Sequence, residues 1–205
     1  MPINYNIQAE IVDLRSDTPK KDEIFLVDTN VWYWFAYTKA SMSSLPYQTR
    51  NYPSYLNKAR LIGSLLLYCG LSLAELAHNI ERSEREIFNL TSNRSLTAKE
   101  YRHNQPTERA NVVDEVKIAW NIVTSIAVST DITIDETTTG ASLTRLQTQP
   151  LDGYDLLILE AMRRANIKQV ITDDGDYVTV PSITVFTENQ NVIQQANAQG
   201  KLKVR

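Results

Sequence analysis

The chain has 205 residues, 42% of them hydrophobic, and a net charge of −3, a composition typical of one globular domain with a buried core. Because Cys69 is the single cysteine, the sequence excludes an internal disulfide and a cysteine zinc cluster, and it favours a reducing, cytoplasmic setting. No apolar run reaches membrane-spanning length and the first residues lack the pattern of a secretion signal, so we expect no membrane partner. The net charge of −3 gives no global basic field that would attract nucleic acid.

The first half of the chain predicts an arm, a linker and then strands that alternate with helices. Apolar and polar residues alternate over 3–11, which predicts an edge strand or an arm, and the polar segment 13–23 predicts a linker. We therefore assign residues 1–23 to an N-terminal arm and linker, and residues 24–205 to a single domain. The periodicity then predicts a buried strand at 24–28, helices at 30–37 and 52–68, a short strand at 71–73 and a helix at 74–88.

The second half opens with a polar excursion near residues 89–106, which we interpret as a loop. After it the sequence predicts a long helix at 107–129, a strand at 132–134, helices at 137–149 and 152–166, strands at 170–172 and 183–186, and a last short helix at 190–198. Strands that alternate with helices in this way predict a three-layer α/β/α sandwich with a central, mostly parallel sheet.

Acidic residues stand beside the predicted strands and at the starts of the helices. They are Asp28 after the apolar run 24–27, Glu75 in segment 71–76, Asp155 at the start of 155–162, and Asp173, Asp174 and Asp176 after 169–172. Each position alone fits a helix cap, a first-turn acid or a solvated turn. The carboxyl ends of parallel strands meet at one edge, however, and buried carboxylates are costly unless they share a cation. The combination therefore predicts a divalent-metal phosphodiesterase site.

The same segments resemble the PIN-domain ribonuclease family, of the kind found as VapC-like toxins in toxin–antitoxin pairs. The matching segments are Val-Asp-Thr-Asn-Val (27–31), Leu-Ser-Leu-Ala-Glu-Leu (71–76), Tyr-Asp-Leu-Leu-Ile-Leu-Glu-Ala-Met (154–162) and Val-Ile-Thr-Asp-Asp-Gly-Asp-Tyr (170–177). The resemblance implies a PIN-like fold and a metal-dependent endoribonuclease that hydrolyses RNA phosphodiester bonds. The stretch between the second and third segments is longer than in small members of the family.

The resemblance also implies which residues form the site. It assigns catalysis and metal binding to Asp28, Glu75, Asp155 and Asp174, with Asp176 as a further metal ligand. One or two Mg²⁺ or Mn²⁺ ions suit a set of ligands that offers only oxygen. Asp174 or Asp176 is the fourth ligand, whereas Asp173 fills a variable position and is not expected to bind metal. Thr172 is expected to hydrogen-bond to a metal ligand without contacting the metal, and Asn30 is expected to orient Asp28.

The expected partners are an RNA substrate, a second copy of the chain in a homodimer and an antitoxin protein. RNA binding requires positively charged side chains near the site, and the candidates are Arg82, Arg85, Arg102 and Arg163. The N-terminal arm and the aromatic helix at 30–37 are candidate surfaces for protein partners.

Two other classes of protein remain open. A haloacid-dehalogenase-like phosphatase also begins with a strand that ends in Asp-x-Asp, but here Asn30 takes the place of the second acid and Glu75 has no role. A receiver domain is disfavoured as well, because the acidic pair expected at the end of its first strand is missing. A PIN-fold interaction module without catalysis would keep the fold and use its acids as helix caps. His78 and His103 are the only histidines, which excludes a three-histidine zinc site.

Overall fold

Short apolar segments form a parallel sheet in the computed structural model, which describes residues 3–205. The strands are β1 (Glu10–Asp13), β2 (Ile24–Val27), β3 (Leu65–Cys69), β4 (Val128–Thr130), β5 (Gln169–Ile171), β6 (Thr184–Thr187) and β7 (Leu202–Lys203). The helices are α1 (Thr29–Ala36), α2 (Pro46–Ile62), α3 (Ser72–Ser92), α4 (Ala98–Asn104), α5 (Pro106–Ile126), α6 (Glu136–Leu146), α7 (Gly153–Arg164) and α8 (Gln190–Ala198). Two 3₁₀ turns lie at Ala40–Met42 and Asp176–Thr179.

The sheet is covered by helices on both faces. Its strands pair in parallel in the order β4-β3-β2-β5-β6-β1-β7. Successive residues of a strand face opposite sides, so Phe25 and Val27 pack with α1, α2, α3 and α5, whereas Leu26 packs with α7 and α8. This arrangement confirms the predicted three-layer α/β/α sandwich with a parallel sheet.

The strand order reverses at β2, and this reversal positions the acidic residues. From β2 the chain moves outward to β3 and β4, and it then returns to β5 on the other side of β2. Leu26 of β2 is the partner of Leu67 in β3 and of Val170 in β5. A reversal of this kind opens a crevice at the carboxyl ends of the strands. Asp28 follows β2 directly and therefore lies at this crevice.

Helix α2 ends earlier than the predicted helix at 52–68. Gly63 has a φ of +93°, a conformation that closes a helix, and its N–H bonds back to the last turn of α2. The apolar residues after it form β3, so the predicted strand at 71–73 was wrong and those residues begin α3. An apolar run of this length fits a strand or a helix equally well, and here the glycine separates the two.

The polar segment 89–106 contains a helix as well as a loop. Thr97 accepts a hydrogen bond from the backbone N–H of Glu100 at 3.3 Å, and the Glu100 carboxylate accepts one from the N–H of Thr97 at 2.8 Å. This reciprocal capping box starts α4, and Tyr101, which is 1% exposed, anchors the helix in the protein. The predicted strand at 132–134 was also wrong, because β4 follows α5 at once and pairs with β3.

Strand β1 belongs to the segment that was predicted as an arm and linker. It lies between β6 and β7 and pairs in parallel with both, so the strand predicted at 3–11 is shifted toward residue 13 and does not lie at the edge. Residues 1 and 2, where the predicted arm begins, lie outside the described residues, and the domain boundary at residue 24 stays a prediction. Within residues 3–205, no helix has both the length and the apolar character needed to cross a membrane.

Candidate metal centre

Asp28 is held rigidly at the carboxyl end of β2. Because it directly follows a buried strand and precedes α1, it caps that helix, and one carboxylate oxygen accepts a hydrogen bond from the N–H of Thr29 at 2.6 Å. The other oxygen accepts hydrogen bonds from the Thr172 hydroxyl at 2.5 Å and from the Asn30 side-chain amide at 2.7 Å. Asp28 is only 4% exposed, so these bonds fix the orientation of a buried carboxylate. The structure thus places Asn30 and Thr172 directly against Asp28.

The turn after β5 carries two of the predicted ligands. The Thr172 hydroxyl accepts a hydrogen bond from the N–H of Asp174 at 2.8 Å, and Asp174 accepts one from the N–H of Asp176 at 2.8 Å. Together with Asp155, these two acids each offer a carboxylate oxygen, and the oxygens of the three lie within 4.8 Å of one another. We call Asp155, Asp174 and Asp176 the acid cluster.

Asp173 lies in the same turn but points away from the acid cluster. Its carboxylate accepts hydrogen bonds from the hydroxyls of Tyr47 at 2.8 Å and Tyr52 at 2.6 Å, and from the side chain of Gln48 at 2.8 Å. These bonds join the turn to α2. Asp173 therefore has a structural role, and it is not a member of the cluster.

Asp155 reaches the cluster from the first turn of α7. The helix is capped by Asp152, whose carboxylate accepts hydrogen bonds from the N–H groups of Tyr154 at 2.9 Å and Asp155 at 3.1 Å. Because Asp152 satisfies the cap, the carboxylate of Asp155 has no capping role and is free to face the crevice. It is 6% exposed, and the buried hydroxyl of Tyr177 lies close enough to oppose the rise in its pKa, although no hydrogen bond of good geometry joins the two.

Glu75 lies in the first turn of α3, next to the cluster and Asp28. It is not a member of the three-residue group, but its charge raises the pKa of Asp28. Within residues 3–205, its buried Oε2 atom has no hydrogen-bond partner of good geometry, although the Thr29 hydroxyl lies close enough to oppose the rise in the pKa of Glu75. A desolvated carboxylate oxygen without a partner is costly, and a bound cation would remove that cost.

The acids oppose one another's ionisation. Burial raises the pKa of Asp28 and of Asp155, and the second cause is a neighbouring carboxylate, Glu75 for the former and Asp28 for the latter. Burial, followed by the charge of Asp174, raises the pKa of Asp176 to about 6. Burial is also the first cause of the raised pKa values of Glu75 and Asp174. A site of this kind binds either protons or cations at neutral pH. Since all the candidate ligands offer oxygen, the residues fit Mg²⁺ or Mn²⁺.

Asp152 is a member of this electrostatic group that the sequence analysis missed. It is exposed, yet its charge raises the pKa of Glu75, Asp155, Asp174 and Asp176. A signal was present in the sequence, because an acid three residues before Asp155, at the start of the same helix, has its side chain at the same helix end. The ordinary role of Asp152 as a helix cap concealed this signal.

Two cavities border the centre. One, of about 260 Å³, lies between Asn30 and Arg82, so it joins a residue that contacts Asp28 to a predicted RNA-binding arginine. The other, of about 580 Å³, extends from Asp176 along the N-terminal segment 3–8 to residues 148–150. The first cavity is therefore lined by a neighbour of Asp28, and the second by one of the candidate ligands, Asp176.

The other candidate arginines are placed less favourably for contact with the acids. Arg102 is paired with the buried Glu81, and Arg85 is half-buried in the middle of α3. Arg163 lies in the last turn of α7, at the opposite end of that helix from Asp155, and pairs with Glu160. Among the four arginines, only Arg82 lines a cavity that touches a residue of the centre.

Comparisons with known proteins add one finding. No protein-family model and no curated protein matches the chain. Among solved structures, the chain is similar to the crystal structure of VapBC2 from Rickettsia felis bound to a DNA fragment from their promoter. The two chains share 15% sequence identity, the match covers 80% of this chain and 98% of that one, and the TM-score is 0.47. The assignment of a function therefore rests on the residues of the site.

Proposed function

We propose that the protein is a divalent-metal-dependent endoribonuclease of the PIN-domain type, which hydrolyses RNA phosphodiester bonds. One observation carries the proposal: the acid cluster, with its oxygens within 4.8 Å of one another, lies at the crevice of the parallel sheet beside the buried carboxylate of Asp28. Carboxylates gathered at such a crevice are suited to hold a divalent cation against a phosphodiester.

Each acid has a distinct part in this proposal. Asp155, Asp174 and Asp176 would hold the cation, and Glu75 would add the oxygen that now lacks a partner. Asp28 would present a carboxylate whose orientation is fixed by its hydrogen bonds. When bound, Mg²⁺ or Mn²⁺ supplies the positive charge that polarises the phosphodiester and makes a water molecule a stronger nucleophile. Asn30 and Thr172 would keep Asp28 in place throughout the reaction.

The geometry favours this proposal over the phosphatase. A phosphatase of that class uses the first Asp as a nucleophile and the second Asp of its Asp-x-Asp motif as a general acid, and the second position here is Asn30. Asn30, at the position of the general acid, donates its amide to Asp28.

An interaction module without catalysis is also less well supported. It would use the acids as helix caps, and Asp28 does cap α1. Asp155, however, leaves the cap to Asp152, and Glu75 keeps a buried oxygen with no partner. Both lie in the first turn of a helix, where the dipole favours an acid, but that effect is small beside the cost of burying several carboxylates together.

The toxin role, an antitoxin partner, a homodimer and a cytoplasmic location belong to the same proposal. They rest on the resemblance of the four acidic segments to VapC-like toxins. The cavity between Asn30 and Arg82 supports RNA binding, because it places an arginine near a residue that contacts Asp28.

The proposal is tested by incubating the protein with a mixed pool of single-stranded and structured RNA in Mg²⁺, Mn²⁺ or EDTA. We expect cleavage with either metal, none with EDTA, and a loss of at least about 100-fold in Asp28→Asn and Asp155→Asn, equal to about 2.7 kcal/mol of transition-state stabilisation. Asp114→Asn is the matched control, because Asp114 is an exposed acid on α5. Intact RNA under all conditions, or full activity in both variants, would contradict the proposal.

A further inference from the structure

The N-terminal segment 3–9 is bound along α8 by amide side chains. The amides follow one another at intervals of one helical turn: Asn191, Gln195 and Gln199. Gln195 accepts a hydrogen bond from the N–H of Tyr5 at 2.6 Å and donates one to the carbonyl of Ile3 at 2.7 Å. Gln199 repeats this pattern with the carbonyl of Tyr5 at 2.9 Å and the N–H of Ile7 at 3.0 Å. The position of Tyr5 along the helix is therefore fixed from both sides.

This position brings the ring of Tyr5 onto the backbone of Gly175. A Cβ atom added to Gly175 would lie 2.1 Å from Cζ of Tyr5 and 2.2 Å from its hydroxyl oxygen. With the ring in this position only glycine fits, so an added methyl group would displace the ring. Gly175 is the residue that separates Asp174 from Asp176, so the ring of Tyr5 packs on the turn that carries two members of the acid cluster.

We propose that Tyr5 is a positioning residue for the metal centre, which acts by packing on Gly175 and so holds Asp174 and Asp176 in register with Asp155. The inference rests on the proposed metal site. Without the ring, the turn would depend on its own hydrogen bonds, from the N–H of Asp174 to Thr172 and from the N–H of Asp176 to Asp174. The ring adds a contact at Gly175, the glycine between the two acids. Residues that contact and orient metal ligands typically change metal affinity by 10–100-fold, so we expect this contact to contribute about tenfold to Mn²⁺ affinity.

The test is calorimetric titration of the metal-free full chain with Mn²⁺. Tyr5→Ala is expected to weaken Mn²⁺ binding about tenfold, and Tyr5→Phe is expected to retain the affinity because the ring stays. Gly175→Ala is expected to weaken binding as well, since its methyl group competes with the ring for the same space. Asn4→Ala, at the exposed neighbour of Tyr5, is the matched control.

The decisive readout is the double variant Tyr5→Ala/Gly175→Ala. Because the clash disappears when the ring is removed, we expect it to bind Mn²⁺ no more weakly than Tyr5→Ala, so that the two losses do not add. Additive losses, wild-type affinity in Tyr5→Ala or a wild type that does not bind Mn²⁺ would overturn the inference. If Tyr5→Ala fails to fold, retained affinity in Tyr5→Phe together with a loss in Gly175→Ala supports it, and any other result in this pair overturns it.

RNA cleavage is measured separately on the same samples. Mn²⁺ binding that depends on Tyr5 without any RNA cleavage would support the inference and contradict the nuclease. RNA cleavage with unchanged Mn²⁺ affinity in Tyr5→Ala would support the nuclease and overturn the inference about Tyr5.

Discussion

Thr172 joins two parts of the site through a single hydroxyl. It donates a hydrogen bond to Asp28 and accepts one from the N–H of Asp174, so it couples the end of β2 to the turn after β5. Thr172 itself is fully buried, with 0% exposure, so water cannot replace these bonds. The orientation of the Asp28 carboxylate therefore depends on a residue that is not itself a candidate metal ligand.

Replacement of Thr172 by valine keeps the shape of the side chain and removes both bonds, together with a third that the hydroxyl accepts from the Asn30 amide at 3.3 Å. We expect Thr172→Val to weaken Mn²⁺ binding by about tenfold or more and to lower the free energy of unfolding by about 1–3 kcal/mol. Calorimetric titration and urea denaturation measure the two effects. Thr172→Ser keeps the hydroxyl and is the control, and a Thr172→Val protein with the Mn²⁺ affinity of the serine variant would contradict this role.

At the scale of elements, Gly63 separates α2 from β3. Its φ of +93° lies in the left-handed region, where a Cβ atom is unfavourable. An added Cβ would meet the side chain of Lys21 at 3.7 Å, which is an ordinary contact, so the backbone conformation and not a clash decides the effect.

We expect Gly63→Ala to lower the free energy of unfolding by about 1–2 kcal/mol because of the left-handed conformation. Urea denaturation measures the loss. Gly140→Ala is the control, since Gly140 lies inside α6 with open space around it and alanine there is expected to stabilise the helix by up to about 1 kcal/mol. A Gly63→Ala protein as stable as wild type would show that α2 does not depend on this glycine for its end.

The elements that the sequence predicts well are those with a strong local pattern. The buried strand before Asp28 and the helix that begins near Asp155 were predicted near their observed positions, because apolar runs and caps are local signals. Helix α4 was missed although its capping box, Thr97 and Glu100, is present in the sequence. Its surroundings are polar, and the burial of Tyr101 against the rest of the protein, which stabilises it, is a tertiary effect.

At the scale of the whole molecule, the sheet assembles the site from distant segments. That the acids would meet was predictable, because parallel strands end at a common edge. The contact of Tyr5 with Gly175 was not, since it depends on how the N-terminal segment binds to α8. The position of β1 inside the sheet was missed for a similar reason, because β7, its partner at the edge, is a two-residue strand with no periodic signal.

The clustering of acids also links stability to pH. The unfolded chain releases protons from these carboxyls at about pH 4, whereas burial raises their pKa values in the folded, metal-free protein, to about 6 for Asp176, about 8 for Asp28 and about 9 for Asp155. Below about pH 4 the carboxyls are protonated in both states, so their burial costs no stability through ionisation. As the pH rises above about 4, the unfolded state loses its protons first, so the stability of the metal-free protein falls until the pH has passed the folded pKa values.

We therefore expect the Tm of the metal-free protein to fall from about pH 5 toward about pH 8, and the increase in Tm caused by Mn²⁺ to grow over the same range. Thermal unfolding in EDTA and in Mn²⁺ across this range measures both trends. Asp155→Asn is expected to be more stable than wild type at the upper end without metal, and to gain less from Mn²⁺. A Tm difference between Mn²⁺ and EDTA that is constant with pH would contradict the link.

The central claim is that these acids hold a divalent cation against the phosphate that is cleaved. It is tested most directly by replacing one non-bridging oxygen of that phosphate by sulfur, in an RNA whose cleavage site has been mapped. Mg²⁺ is a hard cation that prefers oxygen, and Mn²⁺ accepts sulfur more readily. For one of the two diastereomers we predict cleavage at least about tenfold slower in Mg²⁺, equal to about 1.4 kcal/mol, with recovery in Mn²⁺. The same rate ratio of sulfur to oxygen in both metals, for both diastereomers, would contradict the account.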